Sequence, residues 1–186
     1  MTASPSTGAV PRRAPRRPGW RFMAGHPAHW IALGFGSGLS PWAPGTVGTL
    51  WAWLAFVALS PWLDDFGRGL AIAAGLVVGP WACLRTAQHL GQSDPGAIVW
   101  DEIVAFWIVL WLLWPASLAL QLAAFVLFRF FDAAKPGPVG WADRRFEGPP
   151  GRPVGWWQAF GILFDDLVAA GCTLIVVAVG VQLWTW

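Results

Sequence analysis

Five apolar stretches run along the chain, and none of them repeats another. They cover residues 46–63, 69–84, 103–114, 116–131 and 167–186. A helix needs about 20 apolar residues to cross the hydrocarbon core of a bilayer, and only the last stretch meets that length comfortably. The others are shorter, and Pro61 and Pro80 interrupt two of them. The pattern predicts about four to five apolar helices, some of them tilted, re-entrant or packed inside a compact domain.

The composition favours a membrane location for this helical domain. Charged residues make up 12% of the chain and hydrophobic residues 56%, whereas soluble domains carry about 25% charged residues. Trp occurs 16 times and Tyr not at all, and many indoles stand near the ends of apolar stretches, where membrane interfaces favour them. No sheet is predicted. The expected fold class is all-α, a small polytopic membrane helical domain.

The polar segments between the apolar stretches predict which side of the membrane holds the chemistry. If each stretch crosses once, one side holds residues 26–45, 85–101 and 132–166. Of the 12 Lys and Arg residues, Arg68 alone falls on the other side, and an excess of cations marks the cytoplasmic side. Of the 10 acidic residues, all except the pair at 64–65 lie with the cations. The polar motifs are therefore expected to converge on the cytoplasmic face.

The first 25 residues differ in character from the rest of the chain. They are rich in Pro, Arg, Ser and Gly and are not followed by the apolar core of a signal peptide. We expect residues 1–25 to form a disordered basic tail, followed by a helical membrane domain over residues 26–186. The tail either contacts anionic lipid through its arginines or is an inert solubilising segment. No nucleic-acid partner is expected, and the oligomeric state stays open.

Carboxylates form the strongest candidate site. The set consists of Asp94, Asp101, Glu102, Asp132, Asp165 and Asp166. The last five abut an apolar stretch, where an unpaired charge is costly, and Mg²⁺ binds hard oxygen ligands of this kind. Acids that cap helix N-termini are the alternative, but this does not explain Asp132, which follows an apolar stretch. The pattern therefore favours a metal site.

Two cations lie at the end of the fourth apolar stretch, Arg129 inside it and Lys135 just after it. Arg129 and Asp132 are three residues apart, so they share a helix face. Arg suits bidentate phosphate binding, and Lys135 adds a point charge. A local ion pair between Arg129 and Asp132, with an interfacial lysine, is the alternative interpretation.

A glycine-rich segment, residues 34–49, precedes the first apolar stretch. It contains Gly36, Gly38 and Gly45 and opens a helix near Thr46. Backbone N–H groups in such a loop can hold an anion, helped by the helix N-terminus. The spacing matches neither a dinucleotide-binding loop nor a P-loop. An ordinary turn with a Thr cap is the alternative.

Histidines and cysteines give weaker signals. His29 precedes the glycine-rich segment and could contact phosphate or move a proton, or it could be an amphipathic anchor at the interface. His26 and His89 are expected to be surface residues. Cys83 and Cys172 lie in apolar stretches without partners at metal-ligand spacing, so they are expected in the core.

Motifs that the sequence lacks narrow the chemistry. There is no Cys-x5-Arg loop, no Ser-Gly-His segment and no Asp-x-Asp after a predicted strand. These absences leave metal-assisted hydrolysis as the expected reaction class. A small cation or proton transporter using the same carboxylates is the rival, although transport favours acids near mid-membrane. A non-catalytic membrane scaffold would not need five acids at apolar boundaries.

At these positions the chain resembles the phosphatidylglycerophosphatase A family. The resemblance spans about residues 29–171 in four blocks: His29 with 34–49; Asp94-Pro95 with 98–102; 128–132 with Lys135-Pro136-x-Pro138; and 161–162 with 165–169. It implies a Mg²⁺-dependent enzyme of the bacterial inner membrane that converts phosphatidylglycerophosphate to phosphatidylglycerol and inorganic phosphate, a step of phospholipid biosynthesis. The chain departs from the family pattern at Ala105, where Gly is usual, and at 163–164, near a usual Met.

The residues and the resemblance together predict three sets of roles. The expected metal ligands are Asp101, Glu102, Asp132, Asp165 and Asp166. The expected catalytic residues are Asp101, Glu102, Asp132, Asp166 and His29. The expected phosphate-binding residues are Arg129, Lys135, Gly36, Gly38, Gly45 and Thr46. The number of Mg²⁺ ions and the choice between attack by water and an aspartyl-phosphate intermediate stay open.

Overall fold

The structure is a computed structural model that describes residues 17–92, 95–146 and 154–184. Within these ranges every regular element is a helix, which confirms the predicted all-α class. The helices are α1 Trp20–Ala24, α2 Pro27–Ala32, α3 Pro44–Leu59, α4 Asp65–Leu90, α5 Trp100–Leu113, α6 Leu118–Ala134, α7 Pro138–Arg145 and α8 Trp156–Trp184. A 3₁₀ turn over Gly34–Leu39 connects α2 to α3.

Helix α4 is longer than the apolar pattern predicts. It has 26 residues and continues through Pro80, which interrupts the apolar stretch but does not end the helix. Proline lacks an N–H and its ring crowds the preceding turn, but Trp100 packs against that turn. The Trp100 indole N–H donates to the Gly75 carbonyl oxygen at 3.1 Å, and a Cβ added at Gly79 would lie 2.7 Å from the indole ring. A neighbouring helix therefore braces α4 just before its proline.

Helix α8 also begins earlier than predicted. It has 29 residues and starts at Trp156, well before the predicted start at residue 167. The extra turns contain Gln158 and the acids at 165–166, which is why the sequence pattern suggests a polar loop there. Because α8 packs against α4, α5, α6 and α7, its two acids meet partners from other elements, and the helix continues through them.

The apolar helices differ in whether they are long enough to cross a bilayer. Among the described residues, α4 and the Trp156–Leu183 part of α8 are long and apolar enough to cross one. Helices α3, α5 and α6 have 16, 14 and 17 residues, so each rises about 21–26 Å, less than a hydrocarbon core of roughly 30 Å. Outer side chains such as Leu54, Val77 and Ile175 are exposed. These features are typical of a membrane-associated protein, and the number of crossings stays a prediction.

The core centres on α5, which packs against α3, α4, α6 and α8. Phe106, Val109 and Leu110 are fully or almost fully buried there, and the Phe106 ring lies 5.4 Å from the Phe128 ring of α6, centroid to centroid. Ala105, at the position where the resembled family usually has Gly, is also fully buried. This packing fixes the position of the first turn of α5, which is acidic.

The predicted N-terminal tail is only partly described. Residues 1–16 lie outside the described residues, so the disordered tail stays a prediction there. Within its predicted range, Trp20–Ala24 form α1, which packs against α2. Arg17 donates from Nη1 to the Pro41 carbonyl oxygen at 2.7 Å. The end of the predicted tail is thus attached to the glycine-rich segment.

Candidate active site

Asp101 and Glu102 occupy the first turn of α5, and contacts of Val99 hold that turn in place. The Val99 N–H donates to the Ala32 carbonyl oxygen of α2 at 2.9 Å. A Cβ added at Gly48 of α3 would lie 2.7 Å from the Val99 Cβ, so α3 also packs closely here. The start of α5 is therefore fixed by two other helices, and so are its two acids.

Asp166 of α8 meets these acids. Asp101, Glu102 and Asp166 each offer a carboxylate oxygen, and the three oxygens lie within 4.8 Å of one another. Asp101 is 8% exposed and Asp166 is 3% exposed. Asp132, near the end of α6, shares the Arg129 guanidinium with Glu102 and lies close enough to Asp166 to interact with it electrostatically. The structure thus brings together four of the five predicted metal ligands, and we call these four residues the carboxylate cluster.

Two oxygens of the carboxylate cluster lack a hydrogen-bond partner in the described part of the chain. Asp101 Oδ1 and Glu102 Oε2 are buried and accept no hydrogen bond from any of the described residues. Buried polar atoms are normally hydrogen-bonded, and a desolvated carboxylate without a counter-charge is costly. Mg²⁺ takes hard oxygen ligands and leaves coordination positions for phosphate oxygens. Both the donor atoms and their unmet charge fit this ion.

Asp165 behaves differently from its neighbour. It lies well inside α8, so the interpretation of Asp165 and Asp166 as acids at a helix start is wrong. Lys135 Nζ donates to Asp165 Oδ2 at 2.6 Å, and Asp165 is not among the three converging acids. Asp94, the remaining acid of the predicted set, lies outside the described residues.

Arg129 links the carboxylate cluster to the glycine-rich segment. Its Nη1 forms ion pairs with Asp132 and, at 3.6 Å, with Glu102. The predicted local pair with Asp132 is therefore present, and Arg129 reaches beyond it. A Cβ added at Gly45 would collide with Glu102 Oε1 and lie 3.0 Å from Arg129 Nη2. Only glycine lets the first turn of α3 approach the guanidinium and the carboxylate so closely.

Lys135 is held by two carboxylates. Its Nζ donates to Asp143 Oδ1 of α7 as well as to Asp165. Burial lowers the pKa of Lys135, but the hydrogen bonds to the two acids outweigh it and raise the pKa above its usual value. Sequence analysis missed Asp143. Its signal was the Lys135-Pro136-x-Pro138 turn, which places a short helix close to the lysine.

The other predicted phosphate ligands of the glycine-rich segment are Gly36, Gly38 and Thr46. Gly36 adopts a φ of 108° in the 3₁₀ turn, and a Cβ at Gly38 would collide with the Ala97 carbonyl oxygen. Thr46 is in the first turn of α3, whose N-cap is Ala43 without a side-chain cap bond. The interpretation of Thr46 as a cap is therefore wrong. Of the three predicted glycines, Gly45 is the one found against Glu102 and Arg129.

His29 lies in a cluster of its own, which we call the histidine cluster: His26, His29 and His89. His29 is 4% exposed; its Nδ1 is 2.7 Å from the Phe22 carbonyl oxygen and its Nε2 is 2.8 Å from His89 Nδ1. A carbonyl only accepts, so Nδ1 carries the proton and Nε2 accepts from His89. Burial lowers the pKa of His29, the bond to Phe22 opposes this, and the other two imidazoles add to the lowering. His26 is half-buried, and His89 is exposed as expected of a surface residue.

Such an arrangement suits a phosphate ester. Clustered carboxylates can hold a divalent cation, Arg129 offers a planar fork of donors for phosphate oxygens, and the backbone of α3 begins beside both. The site lies among helices with apolar outer surfaces, so its substrate is expected to come from a membrane.

Comparisons with known proteins agree with this chemistry. The family model for phosphatidylglycerophosphatase A matches residues 30–181. The chain is 39% identical over 149 residues to phosphatidylglycerophosphatase A of Escherichia coli K12, covering 80% of each protein. It is also 39% identical over 159 residues to phosphatidylglycerophosphatase A of Haemophilus influenzae, covering 86% of this chain and 91% of that one. No solved structure matches the chain.

A third relative carries a different name. The chain is 38% identical over 157 residues to a protein of Bacteroides thetaiotaomicron provisionally named phosphatidylinositol-3-phosphatase, covering 80% of this chain and 90% of that one. All three names describe hydrolysis of a phosphate monoester on a phospholipid, and none describes a transporter. The transporter alternative is therefore not supported. This chain belongs to the phosphatidylglycerophosphatase A family and is a phosphatase.

Proposed function

We propose that this enzyme hydrolyses the terminal phosphate of phosphatidylglycerophosphate, giving phosphatidylglycerol and inorganic phosphate, with Mg²⁺ held by the carboxylate cluster at the cytoplasmic face of the bacterial inner membrane. The observation that carries the proposal is the convergence of Asp101, Glu102 and Asp166 within 4.8 Å, with buried, unpartnered oxygens beside Arg129. The family membership supports the substrate.

In the proposed site Asp101, Glu102 and Asp166 would hold the cation. When bound, Mg²⁺ would neutralise these acids and draw phosphate oxygens toward them. Asp132 forms an ion pair with Arg129, whose charge is opposite to its own, and it also lies beside another acid, Asp166. It is therefore suited to orient the guanidinium and to complete the acidic site.

Arg129 would bind the phosphate that is transferred. Its Nε is buried and has no hydrogen-bond partner among the described residues, so the guanidinium keeps a donor for a phosphate oxygen. Preorganised charged donors of this kind stabilise the charge that develops on phosphoryl oxygens in the transition state. Gly45 and Thr46 present the first turn of α3 at the same place, where free backbone N–H groups favour an anion.

Lys135 and His29 would act less directly. Lys135 forms ion pairs with Asp143 of α7 and Asp165 of α8. Its positive charge therefore balances Asp165, which lies next to the carboxylate cluster. His29 uses both ring nitrogens within the histidine cluster, and this geometry does not support the predicted proton transfer by His29.

Phosphate release from the purified full chain tests the proposal. Phosphatidylglycerophosphate in detergent micelles should yield inorganic phosphate, EDTA should abolish the release and added Mg²⁺ should restore it, because the clustered acids need a cation to bind an anionic substrate. Asp166→Asn is the matched inactive control. Full turnover in EDTA would overturn the metal assignment, and absence of phosphate release from the wild-type enzyme would overturn the substrate.

The orientation is tested separately by cysteine labelling in intact cells. Trp62 and Arg145 are exposed, on the α3–α4 connection and at the end of α7 respectively. A membrane-impermeant thiol reagent should label Trp62→Cys from outside the inner membrane, and Arg145→Cys only after the membrane is opened. Chains lacking Cys83 and Cys172 provide the background. The reverse labelling pattern would invert the proposed orientation.

A further inference from the structure

A cavity opens beside the candidate active site. It has a volume of about 400 Å³ and is open at the surface. It forms where the segment before α1, the glycine-rich segment and the loop before α5 meet. Its lining includes Arg17, Gly38, Ser40, Pro44, Gly96 and Ala97. Volumes of this order are typical of small-molecule sites.

Two walls of this cavity continue directly into the active site. Pro44 lines the cavity, and the next residue, Gly45, lies against Glu102 and Arg129. Consecutive Cα atoms are about 3.8 Å apart, so the cavity and the site share the start of α3. Ala97 also lines the cavity, and it lies four residues before Asp101. A molecule bound at the carboxylate cluster can therefore extend into the cavity.

The lining has a distinct chemistry. Among the described residues that line the cavity, Arg17 is the one with a charged side chain. Its Nη1 donates to the Pro41 carbonyl oxygen, which uses one of the five N–H donors of a guanidinium. The remaining lining residues are small, apolar or neutral, such as Gly96, Pro44 and Ser40. Within the described lining, one cation among neutral walls matches a singly charged anion linked to a small uncharged group.

We propose that this cavity binds the phosphodiester and the bridging glycerol of the lipid substrate, with Arg17 paired to the diester while the terminal phosphate lies at the carboxylate cluster. The inference rests on the proposed function and adds a basis for selectivity. Phosphatidic acid also ends in a phosphate monoester, but that phosphate is attached directly to the diacylglycerol, without a phosphodiester or a bridging glycerol. The cavity therefore distinguishes the two lipids.

A charge-removing variant tests the role of Arg17. Arg17→Gln should raise KM for phosphatidylglycerophosphate about tenfold, which corresponds to one charge-assisted hydrogen bond, and should leave kcat within about twofold because the diester does not change during the reaction. Phosphatidic acid turnover should not change. Arg21→Gln is the matched control, since Arg21 is exposed on α1 and does not line the cavity. All assays use the full chain in micelles free of other phospholipid.

A cavity-filling variant tests the same site without touching Arg17. A Cβ at Gly96 would meet no atom within 4 Å, so Gly96→Leu should fit the fold and occupy cavity space. It should raise KM for phosphatidylglycerophosphate and spare phosphatidic acid. Gly171→Leu is its control, because Gly171 also has no neighbour within 4 Å of an added Cβ and lies in α8, away from the cavity lining.

Three results would overturn the inference. The first is a KM for phosphatidylglycerophosphate within twofold of wild type in both variants. The second is equal wild-type kcat/KM for phosphatidic acid and phosphatidylglycerophosphate. The third is an effect of Arg17→Gln that appears only after anionic bystander lipid is added, which would assign the cavity to a neighbouring lipid. Failure of the proposed function is a separate outcome, because the wild-type enzyme would then release no phosphate from phosphatidylglycerophosphate.

Discussion

The carboxylate cluster and the histidine cluster both bury polar side chains in an apolar protein, but they differ in how their polar atoms are paired. In the histidine cluster both ring nitrogens of His29 have partners, the Phe22 carbonyl and His89. In the carboxylate cluster Asp101 Oδ1 and Glu102 Oε2 have none among the described residues, and like charges face one another. Burial alone therefore does not identify a site.

This difference distinguishes buried polar side chains that stabilise the fold from buried polar side chains that bind a ligand. A buried polar group whose atoms are all bonded stabilises the fold, and its loss leaves its partners unsatisfied. A buried group with unmet charge lowers stability unless a ligand supplies the counter-charge. Mutations in the first cluster should reduce stability more than turnover, and mutations in the second should do the opposite.

The largest expected effect comes from neutralising the carboxylate cluster. Asp101→Asn and Asp166→Asn keep the side-chain shape but remove charge that a cation needs, so turnover should fall on the order of a hundredfold. The melting temperature in EDTA should stay the same or rise, because repulsion among the acids is reduced. Phosphate release and thermal unfolding measured on the same samples test both statements.

Asp65→Asn is the matched control for that test. Asp65 is an acid in the first turn of α4 that accepts a hydrogen bond from the Trp111 indole, and it lies outside the carboxylate cluster. Its turnover should stay within about twofold. If Asp101→Asn were less stable and fully active, the acid would be a helix-terminus residue instead, with a cost near 1 kcal/mol.

A smaller effect is expected at Asp143, which contacts the lysine beside the cluster. Asp143→Asn removes one of the two carboxylates that hold Lys135, so the ammonium loses its fixed position and turnover should fall about tenfold. Asp143→Glu keeps the charge and should recover most of the activity. If Asn and Glu variants were equally impaired, packing of α7 and not the position of the charge would explain the loss.

Substitution of His29 is expected to change the stability of the fold more than turnover. His29→Gln cannot make both bonds of the imidazole, so the free energy of unfolding should fall by about 1–2 kcal/mol, while turnover per folded molecule stays within about twofold. Chemical unfolding and phosphate release distinguish the two. A hundredfold loss of turnover without loss of stability would restore the catalytic role predicted for His29.

The smallest expected effect is a pH dependence of the stability of the fold, caused by the histidine cluster. Burial lowers the pKa of His29 below the ordinary value of 6.5, so the unfolded chain takes up a proton before the folded one as the pH falls. Stability is therefore present above pH 6.5 and is lost as the pH drops below it. The melting temperature should decrease more between pH 7.5 and 5.5 in wild type than in His29→Gln. Equal decreases would contradict this assignment.

Sequence patterns predicted some of these features and missed others for physical reasons. The all-helical class follows from long apolar stretches, and the meeting of Asp101 with Asp166 follows from acids at stretch ends on one side. The early start of α8 was missed, because a helix that buries acids against other helices has no apolar signature. The histidine cluster was missed because His29 and His89 are 60 residues apart, and only the packing of α2 on α4 joins them.

Neighbouring acids of α8 face different partners, and this fixes how the helix is turned about its own axis. Successive residues of a helix point about 100° apart. Asp165 is tied to Lys135, while Asp166 meets the carboxylate cluster. Helix α8 packs against four other helices, and its ion pair with Lys135 adds a directional polar contact to that apolar packing. The ion pair with Lys135 therefore helps to fix the rotation of α8 about its axis, so that Asp166 and not Asp165 faces the carboxylate cluster.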